Sequence, residues 1–140
     1  MLRTVGGAVV KFVHFKPDEL AVAERWVKQT NLDGSITWDV KLSRDPGRSP
    51  ANAPASQAEL FAFLQQFRID AVVETDKEVW LVEFKDRVRM SGLGQLITYA
   101  ALYREQYKPT KPVRMLMVAG QNDPQIAIVG NAQGIGVEVV

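Results

Sequence analysis

Residues 68–85 read Arg68-Ile-Asp70-Ala-Val-Val-Glu74-Thr-Asp-Lys-Glu78-Val-Trp-Leu-Val-Glu83-Phe-Lys85. Two apolar, β-branched runs, 69–74 and 79–86, flank a polar break at 75–78 of hairpin length, so the stretch reads as two antiparallel strands. With the turn centred on Asp76 and Lys77, Glu74 faces Val79 and Asp70 falls directly opposite Glu83. Strand side chains alternate faces, which puts Glu83 and Lys85 together on one face and Phe84 on the other. Directly opposed Cβ atoms lie roughly 4.5–5.5 Å apart. Two carboxylates and a lysine therefore meet on one sheet face.

Like charges directly opposed on a sheet destabilise it, and a shared divalent cation removes the conflict. Asp70 and Glu83 are hard oxygen donors with no cysteine or histidine beside them, a donor set suited to Mg²⁺ or Mn²⁺ rather than zinc. Beside such a cation, the Lys85 ammonium can position an attacking water, lower its pKa or stabilise charge developing on phosphorus.

The ordered set of a strand aspartate (Asp70), a turn, the E-x-K strand Glu83-Phe84-Lys85 and the helical Gln95-Leu-Ile-Thr-Tyr99 resembles the PD-(D/E)XK nuclease superfamily. Within it, the Q-x-x-x-Y segment looks like that of the RecB-like and phage exonuclease branches. The resemblance runs from about Arg68 to Tyr107 and more loosely to the C-terminus. Ile69 stands where the family name has a proline that is not a ligand. The resemblance implies a restriction-endonuclease-like fold and a metal site of Asp70, Glu83 and the Phe84 backbone carbonyl. An acid from the first helix often joins such a site; Glu19 and Glu24 are the candidates, with Glu59 a third. Gln95 and Tyr99 would hold substrate phosphate or the attacking water. Tyr103 and Tyr107 continue that four-residue spacing and read as packing, and His14, the only histidine, reads as a strand residue.

Outward from this hairpin, the pattern gives a strand at 9–15, a helix at 17–29 begun by Pro17, a break at 31–34 and an alternating strand at 35–42. A Pro-rich loop spans 44–55, and a helix capped by Ser56 follows with Leu60, Phe61, Phe63, Leu64 and Phe67 on its apolar face. After the hairpin comes a basic loop at 86–90, then a helix from a Ser91 cap to about Tyr107, stopped by Pro109 and Pro112. An almost wholly apolar strand covers 113–119, a short helix starts at Asp123-Pro124 and ends at Gly134, and a strand closes at 135–140. The expectation is a single-domain α/β fold with a mixed central sheet flanked by helices.

At 140 residues, 46% hydrophobic and 24% charged, the chain has the composition of one ordinary globular domain. Absence of cysteine excludes disulfides and cysteine-ligated zinc or iron–sulfur clusters. No apolar run approaches the roughly 20 residues of a membrane helix, and the first residues lack a signal-peptide pattern; no membrane partner and a cytoplasmic location, in a bacterial or phage-infected cell, are expected. Net charge is only +1, yet eight bases and four acids between Lys77 and Arg114 put +4 around the proposed site. Arg68, Arg87 and Arg89 are the candidate DNA-phosphate contacts. The function expected is a Mg²⁺- or Mn²⁺-dependent deoxyribonuclease of repair, recombination or phage DNA processing, acting alone or as a homo-oligomer. The alternative is a catalytically idle nuclease-fold assembly component. Endo- or exonuclease action, and RNA as the substrate, are left open.

Overall fold

The computed structural model describes residues 1–5, 15–42 and 67–140. Among them the order is β1 (Leu2–Thr4), α1 (Pro17–Gln29), β2 (Gly34–Lys41), β3 (Arg68–Glu74), β4 (Val79–Arg87), α2 (Met90–Tyr107), β5 (Val113–Gln121), α3 (Pro124–Ala132) and β6 (Ile135–Val139). All six strands join one sheet, in the order β1-β2-β3-β4-β5-β6. The pairs β2–β3 and β3–β4 are antiparallel, and the other three are parallel. Parallel neighbours need a crossover; α2 joins β4 to β5, and α3 joins β5 to β6. The expected mixed sheet with covering helices is what the chain forms.

Each face of the sheet has its own core. On one, Val22, Ala23 and Trp26 of α1 pack on Ala71, Val73, Val82 and Phe84, with the Trp26 and Phe84 rings 5.5 Å apart. Burying a side chain such as Phe84, which is 0% exposed, stabilises the fold by roughly 1.5–3 kcal/mol. On the other face, Leu93, Leu96, Tyr99 and Ala100 of α2 pack on Val72, Leu81 and Met117. β2 can begin hard against the end of β3 because Gly34 has no side chain: a Cβ there would collide with the Glu74 carbonyl oxygen.

The short strand β1 is not legible from its sequence, Leu-Arg-Thr, and is recruited by parallel pairing with β2 (Leu2↔Gly34 to Thr4↔Ile36). Ser91 does not cap α2. The helix starts at Met90, with Arg89 in the extended N-cap position and no side-chain cap, so Ser91 lies inside its first turn. Asp123 does cap α3, accepting a hydrogen bond from the Ile126 N–H at 3.3 Å. The 44–55 loop, the helix from Ser56, Glu59 and His14 lie outside the described residues, as does most of the 9–15 strand.

Candidate functional site

β3 and β4 pair in the expected register, from Glu74↔Val79 to Ala71↔Val82, which carries Asp70 opposite Glu83. The ladder between them ends there. β3 continues beside β2 as far as Lys41↔Arg68, and β4 beside β5 as far as Arg87↔Gln121, so the sheet forks between its two central strands. Carboxylates fill the fork. The Phe84 N–H donates to Asp70 Oδ2 at 2.9 Å, and the Asp70 N–H donates to Glu83 Oε1 at 3.2 Å. Side chains thus satisfy both of these backbone donors. An extended residue points its N–H and C=O to the same edge, so the Phe84 carbonyl faces the fork as well.

Glu83 is only 2% exposed and is the one buried polar or charged residue among those described; Asp70 is partly buried. Burial raises the Asp70 carboxyl from 3.8 to about 7, against the lowering effects of the Phe84 N–H, Glu83 and Lys85. Burial also raises Glu83 well above the ordinary carboxylate range, and the Asp70 charge adds to it. Both carboxyls are thus shifted toward the protonated form. Lys85 lies on the same face as Glu83, close enough for its charge to favour ionisation of both acids. Its stem runs under the start of α2, where a Cβ at Gly92 would lie 3.5 Å from Lys85 Cε and 2.8 Å from Met117 Cε.

Gln95 and Tyr99 arrive from α2. Tyr99 is 4% exposed and packs edge-on against Phe67, ring centroids 6.0 Å apart. Its phenol is pushed up to about 12 by burial and by the charges of Glu83 and Asp70, with hydrogen bonds from Gln95 and the Arg68 backbone acting the other way. The hydroxyl therefore sits by the acid pair. Among the described residues nothing hydrogen-bonds the buried Oε1 of Gln95, although a buried acceptor normally has a partner. Tyr103 and Tyr107 stack on each other at 4.7 Å, and the Tyr107 hydroxyl donates to the Lys41 carbonyl at 3.2 Å. Tyr103 packs against the core beneath α2, while Tyr107 is 46% exposed.

Of the helix acids, Glu19 is near the site: its negative charge acts on Asp70 and on Arg89. Glu24 is exposed and, five residues further on, is turned about 140° around the helix. Among the described residues no three His, Cys, Asp or Glu side chains gather at metal-binding distance, so neither glutamate completes a three-carboxylate cage. The remaining donors still fit a hard cation, because Mg²⁺ commonly uses one or two carboxylates and takes its other oxygens from water and substrate phosphate. The buried acid pair, bonded to the backbone across the fork, and the Gln95 oxygen, which has no partner among the described residues, are the observations that favour that fit.

The three arginines divide. Arg68 donates to Asp39 at 3.0 Å. Arg89 forms a two-pronged ion pair with Asp86, at 2.9 and 2.8 Å, whose hydrogen bonds hold the Asp86 carboxyl down to about 2. Arg87 is exposed, and no carboxylate pairs with its guanidinium among the described residues. Lys111 and Arg114 are likewise engaged, with Glu74 and Glu78; Glu78 is already counted in the net +4, so of these two acids only Glu74 lowers it. Asp39, which the sequence reading passed over, stands beside the site with Arg68; an aspartate within a strand pattern is itself a signal, since strands are depleted in it. Compared with known proteins, the chain matches no family model, no curated protein and no solved structure.

Proposed function

We propose that this protein is a divalent-metal-dependent deoxyribonuclease that hydrolyses phosphodiesters, on a restriction-endonuclease-like fold. The observation that carries the reading is the buried Asp70–Glu83 pair in the fork of the sheet, two acids aligned against their own repulsion with Lys85 beside them. Asp70, Glu83 and the Phe84 carbonyl would hold Mg²⁺ or Mn²⁺. When bound, the cation supplies positive charge against the phosphate oxygens and a water of lowered pKa. Lys85 brings a second positive group to the same face, suited to charge developing on phosphorus. Gln95 Oε1 offers a buried acceptor that can orient a water, and Tyr99 anchors the Gln95 amide. Arg87, whose guanidinium has no carboxylate partner among the described residues, would take a neighbouring phosphate. The reading carries with it a cytoplasmic setting in DNA repair, recombination or phage DNA processing.

The test is incubation of the pure protein with linear, circular and branched DNA, with and without Mg²⁺ or Mn²⁺. Metal-dependent cleavage that disappears in Asp70→Asn and Glu83→Gln supports the proposal; absence of cleavage on every substrate with either metal contradicts it. One observation favours a second reading, a nuclease-fold assembly component without chemistry: Arg89, Lys111 and Arg114 are spent on intramolecular ion pairs, which thins the surface available to DNA. Under that reading, Lys85 and Arg87 can be changed with no biochemical effect.

A further inference from the structure

Asp39 has φ 53°, in the left-handed region that few residues with a Cβ enter and that Asp, Asn and Gly tolerate best. It falls at a gap in the β2–β3 register, which steps from Trp38↔Ala71 to Val40↔Ile69 and passes over Asp39 and Asp70. The faces of the strand change over at the same point. Ile36 and Trp38 pack with α1, whereas Val40 and Leu42, with Ile69 opposite, pack in the cluster beneath α2. A regular strand would have kept 36, 38, 40 and 42 on one face. The Arg68 Nη1, 3.0 Å from Asp39 Oδ2, holds the bend from outside.

Asp70 is consequently free of ladder pairing on both edges, since β4 parts from β3 after Ala71 and β2 passes over Asp70. That freedom is what its carboxylate uses to reach the Phe84 N–H across the fork. We propose that Asp39 is a positioning residue: its left-handed backbone interrupts the β2–β3 ladder at Asp70 and so sets the Asp70 carboxylate across the fork toward Phe84 and Glu83. The consequence for metal affinity rests on the proposed cation site; the geometric claim does not.

The experiment compares Asp39→Val, Asp39→Asn and Asp39→Gly by amide hydrogen exchange without metal and by calorimetric titration with Mn²⁺. Valine, β-branched, resists positive φ, so Asp39→Val should speed exchange at the Phe84 amide at least about tenfold relative to the hairpin amides of Val72 and Leu81, and weaken Mn²⁺ binding by a similar factor. Asparagine and glycine accept the conformation and should stay within about threefold of wild type on both readouts. Equal loss of protection at Phe84, Val72 and Leu81 in Asp39→Val would mean a merely structural role and would overturn the proposal. So would a Phe84 amide as protected in Asp39→Val as in wild type, or an Asp39→Gly variant that is folded yet loses Phe84 protection. If Asp39→Val does not fold, the glycine and asparagine variants decide the matter alone. If wild type binds no Mn²⁺, the cation site fails while hydrogen exchange still judges the role of Asp39.

Discussion

At Asp70 and Glu83 burial favours the protonated carboxyl in the folded chain relative to the unfolded one. With Asp70 raised from 3.8 to about 7 and Glu83 raised well above its ordinary range, both chiefly by burial, the native state binds more protons than the unfolded state between about pH 4 and 7. Stability in metal-free buffer should therefore fall as pH rises through that window, by up to about 1.4 kcal/mol per pH unit for each proton retained. Asp70→Asn can still accept from the Phe84 N–H but carries no charge, so it should flatten the slope and raise the melting temperature at pH 8 with EDTA present; denaturation midpoints from pH 4 to 8 check this. Lys85→Ala removes a positive group expected to matter mainly in the transition state, so turnover should drop by orders of magnitude while DNA affinity changes little. Single-turnover cleavage beside equilibrium binding separates the two. Tyr99→Phe keeps the ring against Phe67 but removes the hydroxyl that engages Gln95 and the Arg68 backbone. It should lower stability by about 1–2 kcal/mol and reduce cleavage, whereas a role in packing alone leaves cleavage intact.

Among the elements, the hairpin of β3 and β4 was readable to the residue, because alternation and a four-residue polar break leave one register that buries Val72, Leu81 and Val82. The bounds of α1 were equally readable, from Pro17 at its start and an apolar stripe of Leu20, Ala23, Trp26 and Val27, although Val27 is exposed and Val22 buried in its stead. What local pattern does not encode is where a ladder stops. The fork after Ala71↔Val82 and the change of face at Asp39 are set by pairing between strands and by one positive-φ residue, and no periodicity within one strand reports either. The short β1 depends on β2 in the same way. Helix starts are also weakly marked: Ser91 is a good N-cap residue, yet α2 begins a turn's fraction earlier, where Arg89 is locked to Asp86. This division of the basic residues yields a prediction for the loop between β4 and α2. Arg87→Ala should weaken duplex binding about equally for all sequences and flatten the salt dependence by a slope of about 0.9. Arg89→Ala, which removes an exposed intramolecular pair, should leave that slope unchanged.

For the whole molecule, the mixed sheet places the acid pair between two separately packed cores, one under α1 and one under α2, with Gln95 and Tyr99 arriving from the second helix and Glu19 of the first near enough for its charge to act on Asp70. A cation at the fork would bind the native state only, so it should stabilise the protein by mass action, by about 2.7 kcal/mol at a concentration one hundred times its dissociation constant. The most direct measurement of the central claim is calorimetric titration of Mn²⁺ into wild type, Asp70→Asn and Glu83→Gln at pH 7, repeated in buffers of different ionisation heat. Saturable binding by the wild type is predicted, with proton release because the pair must ionise to bind the cation, and both variants should lose most of that affinity. Binding of equal strength in all three proteins, or none in the wild type, would contradict a metal site at Asp70 and Glu83.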